Sequence, residues 1–98
     1  MNRYALILAY DGSHYHGWQK QPNANTVQEV IEARLSTVLN QDIQIVGCGR
    51  TDSGVHAKDY CAHFDSLAIS KLENLKYKLN KVLPADISIK NINTSFHS

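Results

Sequence analysis

Residues 4–10, Tyr-Ala-Leu-Ile-Leu-Ala-Tyr, are apolar or aromatic at every position and stop at Asp11-Gly12. A run of this kind closed by a turn signal reads as a strand. Successive strand side chains point to opposite faces, so apolarity at every position requires cover on both. The strand therefore belongs in the middle of a sheet, and the rest of the chain must supply its neighbours.

The remaining elements follow from periodicity. Thr26-Val-Gln-Glu29 is a capping box, and Val27, Val30, Ile31, Leu35, Val38 and Leu39 keep helical spacing behind it. Ile43 and Ile45 alternate with polar residues up to Gly47, and Tyr60, Ala62 and Phe64 alternate with Asp59, Cys61 and His63 in a strand placed at 57–65. A second capping box, Ser70-Lys-Leu-Glu73, opens a helix with Leu72, Leu75, Leu79, Val82 and Leu83 on one side, ended by Pro84. Ile87 and Ile89 alternate in a last strand, but Ile92 breaks the alternation, which allows a bulge or a fraying edge. The order β-α-β-β-α-β is the ferredoxin-like motif of the α+β class. It predicts a four-stranded antiparallel sheet, the first and third strands central, with two helices on one face. The helices cover one face only, so a second apolar face of the first strand is left to meet something else.

With 98 residues, 43% of them hydrophobic, the chain suits a single domain spanning 1–98. A net charge of +1 is too small to argue for or against nucleic acid. Cys48 and Cys61 fit neither a CxxC motif nor a disulfide framework, so free thiols in a reducing, cytoplasmic compartment are the simpler reading, with a single bridge left open. The apolar start is too short for a membrane span and lacks a cleavage signal, so no membrane association is expected.

Two loops are predicted at one end of the sheet. Residues 11–25, "DGSHYHGWQKQPNAN", form a connection long enough to suggest binding. Within it Trp18 is either a small satellite core or a contact residue, alongside Gln19 and Lys20. His14 and His16 could ligate a metal with His56 or His63 as a third ligand, but an HxH pair is common by chance and no acidic or cysteine partner sits at a supporting spacing, so no metal is expected. The second loop contains "GRTDSGVHA", residues 49–57. Asp52-Ser53-Gly54 is a turn signature. Arg50, two residues before Asp52, would lower the pKa of the carboxylate and orient it, as a nucleophile or base requires. A surface ion pair would look the same.

The segments "YDGSHYHGWQKQPNANTVQ" and "GCGRTDSGVHAKDYCAHF" resemble, in order and spacing, the two motifs of the tRNA pseudouridine(38 to 40) synthases, the TruA family. The resemblance implies that Asp52 is the catalytic residue and Arg50 its active-site neighbour, with Gly49, Thr51, Gly54, Val55 and His56 shaping the loop. It implies isomerisation of uridine in the tRNA anticodon stem-loop, no cofactor, and a homodimer in the full-length protein. Members of that family are more than twice as long, their second half supplying a tyrosine against the target base and further basic residues. The chain is thus expected to be an amino-terminal fragment, inactive alone. Two other readings share the fold: a non-catalytic RNA-binding module of RRM type, which needs stacking aromatics on its central strands, and a purely structural ferredoxin-like subunit.

Overall fold

A computed structural model describes residues 1–49 and 54–94. Its elements are β1 (Asn2–Tyr10), a single 3₁₀ turn (Gly12–His14), α1 (Val27–Leu39), β2 (Ile45–Gly47), β3 (Ala57–Ser66), α2 (Leu72–Val82) and β4 (Ile87–Thr94). The sheet order is β2-β3-β1-β4 with every neighbouring pair antiparallel, the ferredoxin-like arrangement with β1 and β3 in the middle.

Burial along β1 alternates. Tyr4, Leu6, Leu8 and Tyr10 are buried beneath the helices, whereas Ala5, Ile7 and Ala9 on the other face are only half-buried. Against the buried row pack Val27, Ile31 and Leu35 of α1, Leu75 and Leu79 of α2, and Tyr60, Ala62 and Phe64 of β3. Apolarity on both faces thus serves a core on one side and leaves an open apolar strip on the other.

The Thr26 cap forms as expected. Its side-chain oxygen accepts the Glu29 N–H at 3.4 Å, and Asn40 closes α1 in the left-handed conformation at φ 53°. The second capping box does not form. The N-cap of α2 is Lys71, with no side-chain cap hydrogen bond, so Ser70 lies one residue outside the helix and Glu73 is not at the position that would reach back. The frame is set instead by the chain just before it, where the Ile69 N–H donates to the Tyr4 hydroxyl at 2.8 Å, and by Leu75 and Leu79 facing the core. The second strand is also shorter than its alternation suggests. Ile43 is buried but lies outside the strand, its N–H held by the Ser36 hydroxyl at 3.0 Å.

Ile92 is explained by a bulge in β4. Leu8 faces Ile89 and Ile7 faces Asn91, leaving Lys90 as the extra residue. One added residue reverses the parity of a strand, so Ile87, Ile89 and Ile92 all point into the core, each 3% exposed. A second irregularity lies in β3, where Leu8 faces Tyr60 but Tyr10 faces Ala57.

Leu6 is fully buried at the centre of the middle strand. Leu6→Ala is expected to lower the unfolding free energy by about 2–5 kcal/mol, through lost burial plus the cavity left behind, as measured by urea denaturation of the 98-residue chain. A loss below about 1 kcal/mol would mean that the core is not centred there.

Candidate functional site

Because β1 and β2 point the same way, the loop leaving β1, the β2–β3 hairpin and the turn before β4 meet at one end of the sheet. The Asp11 N–H donates to the Asp86 carbonyl at 2.9 Å, and the Gly54 N–H to the Tyr15 carbonyl at 3.3 Å. Gly12 permits the closest approach: a Cβ at this position would stand 1.9 Å from the Val55 carbonyl oxygen, so any side chain would force the two loops apart. Its N–H donates to His56 Nδ1 at 3.0 Å.

Asp11 organises the first turn. Its Oδ1 accepts from the Ser13 hydroxyl at 2.6 Å and the Ser13 N–H at 3.0 Å. These bonds hold its carboxyl below the usual carboxylate range, helped by His56 and His14 nearby. The Tyr15 hydroxyl donates to Asp86 Oδ1 at 2.6 Å; burial first, and then the Asp86 carboxylate, push this phenol far above its ordinary range. Tyr10, Asp11, His56, Lys58, Asp86 and Ser88 line an open groove at this end of the uncovered sheet face.

The other side of the loop pair is aromatic. Trp18 is 1% exposed, with its ring 4.5 Å from that of Tyr60, and Tyr10 meets Tyr60 edge-on at 6.0 Å. A Cβ on Gly47 would stand 2.3 Å from both Trp18 Nε1 and the Tyr60 hydroxyl, so this contact requires glycine in β2. The Tyr60 hydroxyl donates to the Gly49 carbonyl and accepts the Gly49 N–H at 3.2 Å, fixing the start of the hairpin loop. Burial pushes the Tyr60 phenol up to about 12, against the pull of the Gly49 backbone.

A polar clamp holds the far end of the first loop. The Lys20 N–H donates to Gln28 Oε1 at 2.7 Å, Gln28 Nε2 donates to the Ile45 carbonyl at 2.9 Å, and the Ile45 N–H donates to Glu32 Oε2 at 3.0 Å. Lys20 Nζ stands 3.4 Å from Glu32 Oε1. Each partner of buried Glu32 satisfies an oxygen that burial would otherwise leave costly.

Of the residues singled out from sequence, Gly49, Gly54, Val55 and His56 are exposed around the loop junction, Gln19 is half-buried and Lys20 exposed. Trp18 belongs to the core rather than to the surface. Arg50, Thr51 and Asp52 lie outside the described residues. The strand aromatics on which an RRM-type platform would depend, Tyr4, Tyr10, Tyr60 and Phe64, are all buried on the helix side, and this removes the stacking surface which that reading needs. Among the described residues no three His, Cys, Asp or Glu side chains group as metal ligands. Cys48 and Cys61 are free and exposed, the Cys48 N–H donating to the Cys61 carbonyl at 3.0 Å. Sequence reasoning passed over Tyr60, Gln28, Glu32 and Asp86. Tyr60 reads as an ordinary strand aromatic and Glu32 as a solvated helix residue until the loop folds onto them.

A family profile described as tRNA pseudouridine synthase matches residues 6–95. The chain is 51% identical over 89 residues to tRNA pseudouridine synthase A of Bacteroides thetaiotaomicron, covering 91% of this chain and 33% of that protein. It is 50% identical to the protein of the same name from Ruminiclostridium cellulolyticum, covering 93% of this chain and 37% of that one. With the Chlamydia felis protein, also named tRNA pseudouridine synthase A, it shares 45% identity across 100% of this chain and 39% of the relative. The chain belongs to the tRNA pseudouridine synthase family, and it spans about a third of the length of these relatives. No helix among its described residues is long and apolar enough to cross a membrane.

The raised Tyr60 phenol has a stability consequence. Its folded pKa of about 12 exceeds the unfolded value of 10.0, so the stabilisation is complete below the unfolded value and is lost as pH rises through the folded one. Urea midpoints of wild type and Tyr60→Phe are therefore expected to differ by a constant amount up to about pH 9. They should then converge between about pH 10 and 12 as the wild type loses the phenol's contribution. Parallel profiles across this window would place the phenol in solvent.

Proposed function

We propose that the chain is the amino-terminal, catalytic-aspartate domain of a tRNA pseudouridine synthase that isomerises uridine to pseudouridine in the anticodon stem-loop, at positions 38 to 40. The observation that carries this reading is the family match across residues 6–95, which runs through "GRTDSGVHA" and so through Asp52 and Arg50.

In this reaction the bond from uracil N1 to the ribose anomeric carbon breaks, the base turns, and the same carbon is joined to C5. The C5 proton leaves and N1 regains one, so atoms balance without oxidant or cofactor. Asp52 contributes as an ionised carboxylate, as nucleophile or base at the sugar or base, and Arg50 favours that ionised form and orients it. The target uridine is stacked in the tRNA. Its extrusion costs a few kcal/mol, which Arg50 helps to offset by occupying the gap. Because about two thirds of the length of the relatives lies outside this chain, turnover belongs to the full-length enzyme, which we take to be a homodimer. The 98 residues alone are expected to bind tRNA weakly, since few phosphates are neutralised, and to give no turnover.

The test uses a full-length synthase carrying this sequence, with release of tritium from C5 of uridine in unmodified tRNA as the assay. Asp52→Asn is expected to lower kcat by at least about 10³-fold while tRNA affinity changes little, because the shape is kept and only the reacting group is lost. Substantial turnover by the Asp52→Asn enzyme would overturn the assignment.

A further inference from the structure

His56 and Gly12 come from different loops, 44 residues apart, and meet through a single nitrogen. A ring nitrogen that accepts an N–H carries no proton, so with the Gly12 N–H on Nδ1 the neutral ring holds its proton on Nε2. Asp11 Oδ1 lies 3.1 Å from the same Nδ1 and is already the acceptor for both Ser13 donors. Among the described residues, the other charged or titratable groups at this junction are His14, Asp86, Lys58, Tyr10 and Tyr15.

The tie is one of a set. The Gly54 N–H to the Tyr15 carbonyl and the close approach of Val55 to Gly12 fall on the same three residues, 54–56, and fasten them to the chain just after β1. On the other side, Gly49 is held by the Tyr60 hydroxyl. Residues 50–53, with Asp52 among them, are the sequence between these two anchors. The His56 side chain is 65% exposed, so its ring contributes little to the core, and what it does contribute is an acceptor at a fixed place.

We propose that His56 is a positioning residue. By accepting the Gly12 N–H through Nδ1 it fastens residues 54–56, which follow Asp52 in the sequence, to the end of β1, and the turnover assigned to Asp52 depends on that tie. The inference rests on the reading of Asp52 as the reacting group. A carboxylate whose segment is anchored at one end only loses orientation, and orientation supplies much of the effective molarity of a positioned group.

Two variants separate this role from direct contact with RNA. In His56→Asn the side-chain carbonyl reproduces the Nδ1 acceptor, and in His56→Ala nothing does. In a full-length synthase carrying this sequence, His56→Ala is expected to lower kcat at least about tenfold with KM for tRNA nearly unchanged, and His56→Asn to recover most of the loss. In the 98-residue chain, the Gly12 amide proton followed by NMR is expected to lose its downfield shift and exchange protection in His56→Ala and to keep them in His56→Asn. Equal losses in both variants with a raised KM would show the ring contacting tRNA, and a Gly12 amide unaffected by His56→Ala would remove the tie; either result overturns the proposal. Absence of turnover in the wild-type enzyme, by contrast, would overturn the functional reading while leaving the Gly12 measurement to report on the tie itself.

Discussion

The loop end of the molecule depends on the tilted contact of Trp18 against Tyr60 beneath Gly47. The three residues come from the first loop, from β3 and from β2, and their contact leaves no room for a Cβ on Gly47. Burying an indole and a phenol together supplies a large apolar contact in a segment whose regular structure is a single 3₁₀ turn. With Trp18 buried, Lys20 reaches Gln28, and Gln28 with Glu32 satisfies the outer-edge backbone groups of β2 at Ile45. With the Tyr60 ring fixed, its hydroxyl meets both backbone groups of Gly49. A fifteen-residue connection is thus held by its middle, and its first turn is left free to seat Gly12 against Val55 and His56.

Much of this was legible from the chain alone, and what was missed has physical causes. The element order and the central place of β1 follow from period and capping, because binary patterning reports which face is covered. Ser70 misled because a capping box is a local signal, and here the tertiary bond from Ile69 to Tyr4 decided where the helix begins. Trp18 was ambiguous because burial of a loop residue depends on a pocket built from two other strands. The strand aromatics were visible as aromatics, but only the register tells which face they occupy, and all four proved to be core. Asp52 and Arg50 stand out from their turn context and spacing, the resemblance of their motif supplies the catalytic role, and both lie outside the described residues. The roles of Tyr60, Gln28 and Glu32 were not legible because each is defined by a backbone group distant in sequence.

The irregularities flanking β1 carry a consequence of a different kind. Lys90 is the surplus residue of β4, residues 58 and 59 of β3 together oppose Ala9, and the Lys90 ammonium meets the Asp59 carboxylate at 2.5 Å across the strand between them. Bulges raise local right-handed twist, so two of them placed side by side concentrate the coiling of the sheet at the end where the loops converge and leave the opposite end more regular. In β4 the same surplus residue is what lets isoleucines at 87, 89 and 92 share one face. Curvature at the groove and the hydrophobic parity of β4 are therefore a single inherited trait: a deletion that straightened the strand would also turn either Ile92 or the Ile87–Ile89 pair out of the core. Side chains lining the groove can change without touching the core, whereas flattening this end of the sheet would strip isoleucine from it.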